Sequence, residues 1–426
     1  LITVLATHQT ERLTYTLTEL FQKRLGIAFT VTTNVDYFNA TNGAKINYTS
    51  TQLNNCINIL PQALLYHNGI TIQQIDVKKD KKWHTLLWPN SNAHIPFDVF
   101  AASFYLLSRY EEYTNKSRDQ HGRFEAKNSL AFNHGFLDFP LIEHWCEQLK
   151  NVLQSQYHNL TFKPNTFKSI TTIDIDFAYL YKGLSAKRWL GKLAKSILRF
   201  DIKSIQKQLL SSFDIKRDPY NTYDFISATV RGELGYFILM SNKGGYDKNI
   251  KTDGTDFKKL IKQLHKRSDF IGLHPSYASN QNIERLLEER IELGRIIKQK
   301  IETSRQHFLK MNLPETYRNL IKVDIKEDYT MTYAEQIGFR ASTCLPFVWF
   351  DLQMNMATQL VCFPTCFMDT TAIEYLKYDA EQIENLNEKL LNLIKNYNGY
   401  YVTLWHNNTF VSPHVRQTFC NLYNKI

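Results

Sequence analysis

The ten residues at 170–179, Ile-Thr-Thr-Ile-Asp-Ile-Asp-Phe-Ala-Tyr, constrain the chain more than any other stretch. The β-branched start predicts a strand, and side chains at i and i+2 of a strand share a face. Asp174 and Asp176 are therefore expected to project together from the strand's C-terminal end, where open α/β sheets and barrels place their ligands. Two carboxylates that close repel unless a cation or a shared proton compensates them. A strand end finished by an Asx turn would carry the same residues. A metal ligand beside a general base is the sharper alternative, and it needs partners further along the chain.

Four later stretches offer them. Ile271-Gly-Leu-His-Pro-Ser-Tyr277 presents His274 at a strand end, with Pro275 enforcing an extended exit. Ser304-Arg-Gln-His-Phe-Leu309 places Arg305 and His307 two apart, on one face of an extended chain. Glu327-Asp-Tyr-Thr-Met331 offers Asp328, as a carboxylate supporting a site or as a solvated loop acid. Tyr401-Val-Thr-Leu-Trp-His-Asn407 ends an apolar strand in His406. A single histidine after a strand is commonly a hydrogen-bonded structural residue. Two Asp, three His and an Arg at successive strand ends point together to a site. The loop at 246–249 reads either as a groove lining or as an ordinary turn.

Between these strand ends, residues 256–265 and 282–304 have helical periodicity, the latter with Ile283, Leu286, Leu287, Ile291, Ile297 and Ile301 on its apolar side. Strand and helix in alternation predict a parallel sheet or barrel with helices outside. Upstream, residues 1–6 and 27–35 read as strands, 10–25 as a helix opened by Thr10, and 41–59 as a hairpin with a turn at Asn42-Gly43. Residues 96–113 read as a helix started by Pro96 and 140–156 as another. These elements predict a smaller α/β domain, 1–160, joined through a polar segment containing Pro164 to a second domain, 167–426. Residues 186–210 read as a basic amphipathic region whose Leu, Ile and Phe side chains pack inward while its lysines face solvent.

A chain of 426 residues exceeds one ordinary core, which agrees with two domains. Its 43% hydrophobic and 22% charged content is that of a globular protein. The formal charge of +10 is spread over lysine-rich stretches at 78–82, 187–207 and 243–266. They read as solvated faces, and no nucleic-acid partner is expected because no such motif accompanies them. Most of the aromatic residues fill cores, though aromatic platforms also suit sugar rings. The six cysteines form no disulfide framework, and Cys362-Phe-Pro-Thr-Cys366 has the wrong spacing for a zinc knuckle or redox pair. Buried free thiols imply a reducing compartment, so a cytoplasmic setting is expected; a chain that begins at Leu1 leaves room for a removed leader. No window has the length of a membrane span.

From Phe167 to the C-terminus, the order of a Thr-x-Asp-x-Asp strand, a Gly-x-His strand end, an Arg-x-x-Phe segment and a Leu-x-His strand resembles the polysaccharide deacetylase family (carbohydrate esterase family 4). The resemblance implies a distorted (β/α) barrel and a metal-dependent enzyme, commonly with zinc, that removes N- or O-acetyl groups from glycans. It implies Asp174 as general base, Asp176 as a metal ligand and His274 as a second ligand. Arg305 would hold the base, and His406 would protonate the leaving amine. The N-terminal part, with Phe-Tyr-Leu-Leu-Ser-Arg-Tyr-Glu-Glu-Tyr113 and Asp-Gln-His-Gly-Arg-Phe124, is similar to the accessory domain of uncharacterised bacterial members.

The chain departs from the family at two positions. The second histidine of the family's motif falls at Ala278, and His307 stands where the family generally carries proline. His307 is expected to supply the missing nitrogen, so that Asp176, His274 and His307 hold Zn²⁺ or another divalent first-row metal. The rival expectation is a lost metal site and a catalytically inactive carbohydrate-binding protein. A glycoside hydrolase needs two carboxylates flanking a glycosidic bond, farther apart than i and i+2 of one strand, and leaves the histidines unexplained.

Overall fold

The computed structural model describes residues 1–90, 93–163, 165–241 and 244–426; Pro164 of the expected linker and Lys243 of the expected basic stretch lie outside the described residues. The N-terminal part is built on a four-stranded sheet of β1 (Ile2–Ala6), β2 (Phe29–Thr32), β3 (Ala44–Tyr48) and β4 (Ile57–Asn58), in the order β2-β1-β3-β4. A two-stranded ribbon, β5 (Val77–Asp80) and β6 (His84–Leu87), follows. The rest of the chain forms one curled nine-stranded sheet from β7 (Lys168–Ile175), β8 (Glu233–Leu239), β9 (Phe270–His274), β10 (Thr303–Ser304), β11 (Glu327–Asp328), β12 (Phe347–Asp351), β13 (Met356–Cys362), β14 (Phe367–Met368) and β15 (Tyr400–His406). Its order is β12-β13-β11-β10-β9-β8-β7-β15-β14, so it stays open between β12 and β14.

Every neighbouring pair in the large sheet is parallel except β12 with β13. The C-terminal ends of β7, β8, β9, β10, β11, β14 and β15 therefore open on the same side. β7 lies between β8 and β15, and seven of its eight residues are buried, as befits a strand covered on both faces. Register sets His406 of β15 beside Asp174 of β7, and His274 of β9 beside Leu239 of β8. Two glycines make room for aromatic rings from neighbouring strands. A Cβ at Gly272 would stand 2.4 Å from the Phe237 ring, and one at Gly235 would stand 2.1 Å from Phe270.

Several local expectations are corrected. Residues 41–59 hold no hairpin: β3 and β4 run parallel, and Asn42-Gly43 precedes β3 instead of joining two strands. Strand 27–35 stops at Thr32, because Asn34 caps a helix, Val35–Ala40, through its bond from Tyr37 N. Pro96 does not start the following helix. Asp98 does, its Oδ1 accepting from the N–H groups of Phe100 and Ala101 ahead of Val99–Leu107. That helix breaks at Arg109, which is left-handed (φ 54°) while its guanidinium bonds Glu111, Glu112 and Tyr333. The region 186–210 is two helices, Ala186–Leu198 and Ile202–Phe213, and most of its large apolar side chains face outward.

The hydrophobic core is continuous across both parts of the chain, from Ile2 to Tyr423. Buried ion groups cross it as well. Glu112 joins Arg109 to Arg340, and Arg24 joins Glu19 to Glu143, while Glu143 also accepts from Thr343 and Cys344.

Candidate active site

Asp176, His274 and His307 come from three strand ends, and their ligand atoms all lie within 4.8 Å of one another. His274 Nδ1 is 2.5 Å from the carbonyl of Arg305, and His307 Nδ1 is 2.9 Å from Asp247 Oδ1. Both partners are acceptors, so both Nδ1 atoms carry hydrogen, and each ring turns Nε2 inward, where it can offer a lone pair to a cation. His274 Nε2 lies 3.2 Å from Asp176 Oδ1, and His307 Nε2 lies 3.7 Å from Asp176 Oδ2. Asp176 Oδ1 has no hydrogen-bond partner despite its burial. Two imidazole lone pairs and a carboxylate converging on one point require a cation or protons between them. The donor set, two nitrogens and an oxygen with each distal nitrogen fixed by a second acceptor, fits a divalent transition metal.

The electrostatics agree. Burial alone would raise the Asp176 carboxyl, but His307 and His274 overturn that and hold it well below the usual carboxylate range. Burial likewise opposes a charge on His307, yet Asp176 and Asp247 push it up to about 9. In the absence of a metal, His307 thus binds the proton that a cation would displace. Asp176 has a fifth of its side chain exposed, against a few per cent for the two histidines, so the cluster opens to the cavity on the Asp176 side.

Asp174 and Arg305 form a second, drier unit. Arg305 Nη1 donates to Asp174 Oδ1 at 2.9 Å and to Thr172 Oγ1 at 2.7 Å. Its other nitrogens donate to the Tyr329 carbonyl and Thr365 Oγ1, and its face packs 4.6 Å from the Phe237 ring centroid. A fully buried guanidinium so bound is fixed in place. Asp174 Oδ2 remains toward the cavity, 3.6 Å from His274 Nε2.

His406 completes the arrangement. Asp369, absent from the sequence expectations, accepts from His406 Nδ1 at 2.7 Å through Oδ1, and from His406 N and Thr409 Oγ1 through Oδ2. Its signal was the same as the others', an aspartate directly after a strand, but β14 has two residues and shows no periodicity. Burial lowers the charged form of His406, but Asp369, with help from Asp176 and Asp174, pushes it up to about 10. Its Nε2 points inward, 3.8 Å from Asp176 Oδ2.

These groups line a cavity of about 260 Å³ that also includes Phe177, Leu309, Met368, Tyr375 and Arg123. Arg123 belongs to the N-terminal part. Its Nε bonds Asp119 at 2.7 Å and its Nη1 bonds the Phe308 carbonyl at 2.9 Å, while His121 packs against Tyr246, Tyr277 and Phe308. Phe308 and Leu309, directly after His307, both have positive φ (60° and 50°), a costly conformation for such residues that tends to persist at functional sites.

Two further expectations receive a definite place. Asp328 is not a solvated loop acid: it is buried, bonded to Ser304 and Thr330, and raised by burial. The stretch 246–249 does more than turn, since Asp247 holds His307 and the Tyr277 N–H, and Asn249 ties Ala178 to the ends of β7 and β8.

Residues 2–158 match a family of unknown function, DUF7033, which is less than half of the chain. No curated protein matches the chain. Among solved structures, the chain is similar to a probable polysaccharide deacetylase from Pseudomonas aeruginosa PAO1 (9% identity, covering 60% of this chain and 84% of that one, TM-score 0.39). It is also similar to a polysaccharide deacetylase from Bacillus cereus (10%, 61% and 86%, TM-score 0.30) and to the Puue allantoinase (10%, 61% and 84%, TM-score 0.36).

Proposed function

We propose that the protein is a metal-dependent hydrolase that removes acetyl groups, N-linked or O-linked, from a glycan or sugar, on a distorted (β/α) barrel of the polysaccharide deacetylase type. One observation carries this reading: the Asp176, His274 and His307 ligand atoms converge beside an arginine-clamped carboxylate and an aspartate-held histidine, all in one cavity. Zn²⁺ or another first-row divalent ion is the group these three residues would hold. Such an ion polarises an acyl carbonyl and lowers the pKa of a bound water.

The protein's own groups supply the proton transfers. Asp174, with Oδ1 fixed by Arg305, has Oδ2 free to take a proton from the attacking water. His406, positively charged through Asp369, has Nε2 free to give a proton to the departing nitrogen or oxygen. Arg305 keeps the base aimed, and Asp369 fixes the tautomer of the acid. The apolar wall of Phe177, Leu309 and Met368 suits an acetyl methyl, and the cavity's modest volume suits one sugar unit. We assign residues 1–160 as an accessory domain whose Arg123 lines the cavity and whose His121 packs against Phe308.

Acetate release from N-acetylated and O-acetylated oligosaccharides tests the reading. The metal-loaded protein should release acetate; Asp174→Asn should lose it at least about a hundredfold while retaining the metal. Metal-replete protein that binds such sugars and never releases acetate would favour the carbohydrate-binding alternative.

A further inference from the structure

The helical hairpin at residues 186–213 reverses the usual amphipathic arrangement. Its contacts with the body are polar: Arg188 donates to the carbonyls of Lys248 and Asn249, Lys192 to that of Leu180, and Gln208 to that of Trp189 within the pair. Gln208 and Ser211 are its buried residues, and helix Ala186–Leu198 buries none. Trp189, Leu193 and Ile205 are half-buried, and the other large apolar side chains point away. Leu190 and Ile197, then Ile202, Leu209 and Phe213, recur at spacings of seven and four, one stripe on each helix. Leu198, Phe200 and Phe213 are 80–90% exposed. Phe200, at the turn between the helices, also holds φ 53°, where glycine is the usual occupant.

The charge is equally one-sided. The segment carries seven Lys or Arg and one acid, Asp201, whose carboxylate is occupied in capping Ser204 N. With Arg188 and Lys192 tied to the body, Lys187, Lys195, Arg199, Lys203 and Lys207 remain exposed around the apolar stripes. We propose that this hairpin is an interfacial anchor that lies on an anionic phospholipid surface, its Leu, Ile and Phe side chains inserted among the acyl chains and its cations among the headgroups. A second copy of the chain would bring two like-charged faces together. A nucleic acid would satisfy the cations and leave the apolar stripes in water. An anionic bilayer satisfies both. Among the described residues no helix is long and apolar enough to cross a membrane, which agrees with a helix pair that rests on one.

Cosedimentation of the metal-loaded protein with vesicles tests this. It should bind phosphatidylglycerol/phosphatidylcholine vesicles, bind pure phosphatidylcholine at least about tenfold more weakly, and release as salt is raised. Leu198→Ser/Phe200→Ser/Phe213→Ser and, separately, Lys195→Glu/Arg199→Glu/Lys203→Glu should each lower binding by about tenfold or more, with melting temperature and metal content unchanged. Equal binding by either triple variant and the parent would overturn the proposal, as would failure of the parent to bind. Light scattering that shows a dimer dissolved by the apolar triple would instead assign the face to self-association.

Discussion

At His307 one ring nitrogen is committed to Asp247 and the other faces Asp176, and this division sets the effect of pH on the site. Without metal, His307 is pushed up to about 9. A group raised in the folded state contributes stability that is fully present below its unfolded value, about 6.5, and is lost as pH rises through the folded value. The chelator-treated protein should therefore melt at progressively lower temperature between about pH 6.5 and 9. For the metal the sign is opposite, because the proton must leave first. Affinity should climb by about tenfold per pH unit over that window, read by competition with a chromophoric chelator. Asp247→Asn should weaken metal binding by about 10- to 100-fold with the fold intact, since it replaces the charged acceptor that fixes the His307 tautomer with a neutral amide. At this scale the sequence was informative for residues at the ends of long strands: Asp174, Asp176, His274 and His406 each follow an apolar run. It was silent on Asp369, which follows a two-residue strand without recognisable periodicity, and offered Asp247 only within a loop that could line a groove; both reach their histidines through the fold.

Among the elements, β8 and β9 support the site through an interlock of glycine and phenylalanine. Gly272 makes room for Phe237, whose ring lies against the Arg305 guanidinium that clamps Asp174. Gly272→Ala must displace that ring and also crowds the Thr303 carbonyl 3.1 Å away. A destabilisation of about 1–3 kcal/mol in denaturant melts is expected, with loss of activity exceeding loss of metal. The βα alternation of the C-terminal part was legible because parallel strands buried on both faces leave continuous apolar runs. The N-terminal pairing was not. A parallel β3–β4 contact and a true hairpin both read as two β-like runs near an Asn-Gly turn, and only the position of the turn relative to β3 separates them. The basic hairpin was misread because periodicity shows that a helix has an apolar face without showing what covers it.

Across the whole molecule, the two parts of the chain are joined by buried charge. Glu112 accepts from both Arg109 and Arg340, and neighbouring charges hold its carboxyl at about 2 although burial works the other way. Glu112→Ala leaves two buried guanidinium groups without it and should cost about 3–5 kcal/mol, read by thermal or denaturant unfolding. A fragment consisting of 167–426 alone would lose the partners of Arg340 and Thr343 and the Arg123 prop beneath Phe308, and is expected to aggregate or to bind metal poorly. Composition gave no sign of this interdependence, because ion groups shared between distant segments have no local pattern. The measurement that tests the central claim most directly is metal content by mass spectrometry on the purified protein, after equilibration with Zn²⁺ and dialysis, beside His307→Ala. One ion per chain in the parent and a large loss in His307→Ala is the predicted result. Full occupancy in His307→Ala, or none in the parent, would contradict the Asp176–His274–His307 centre.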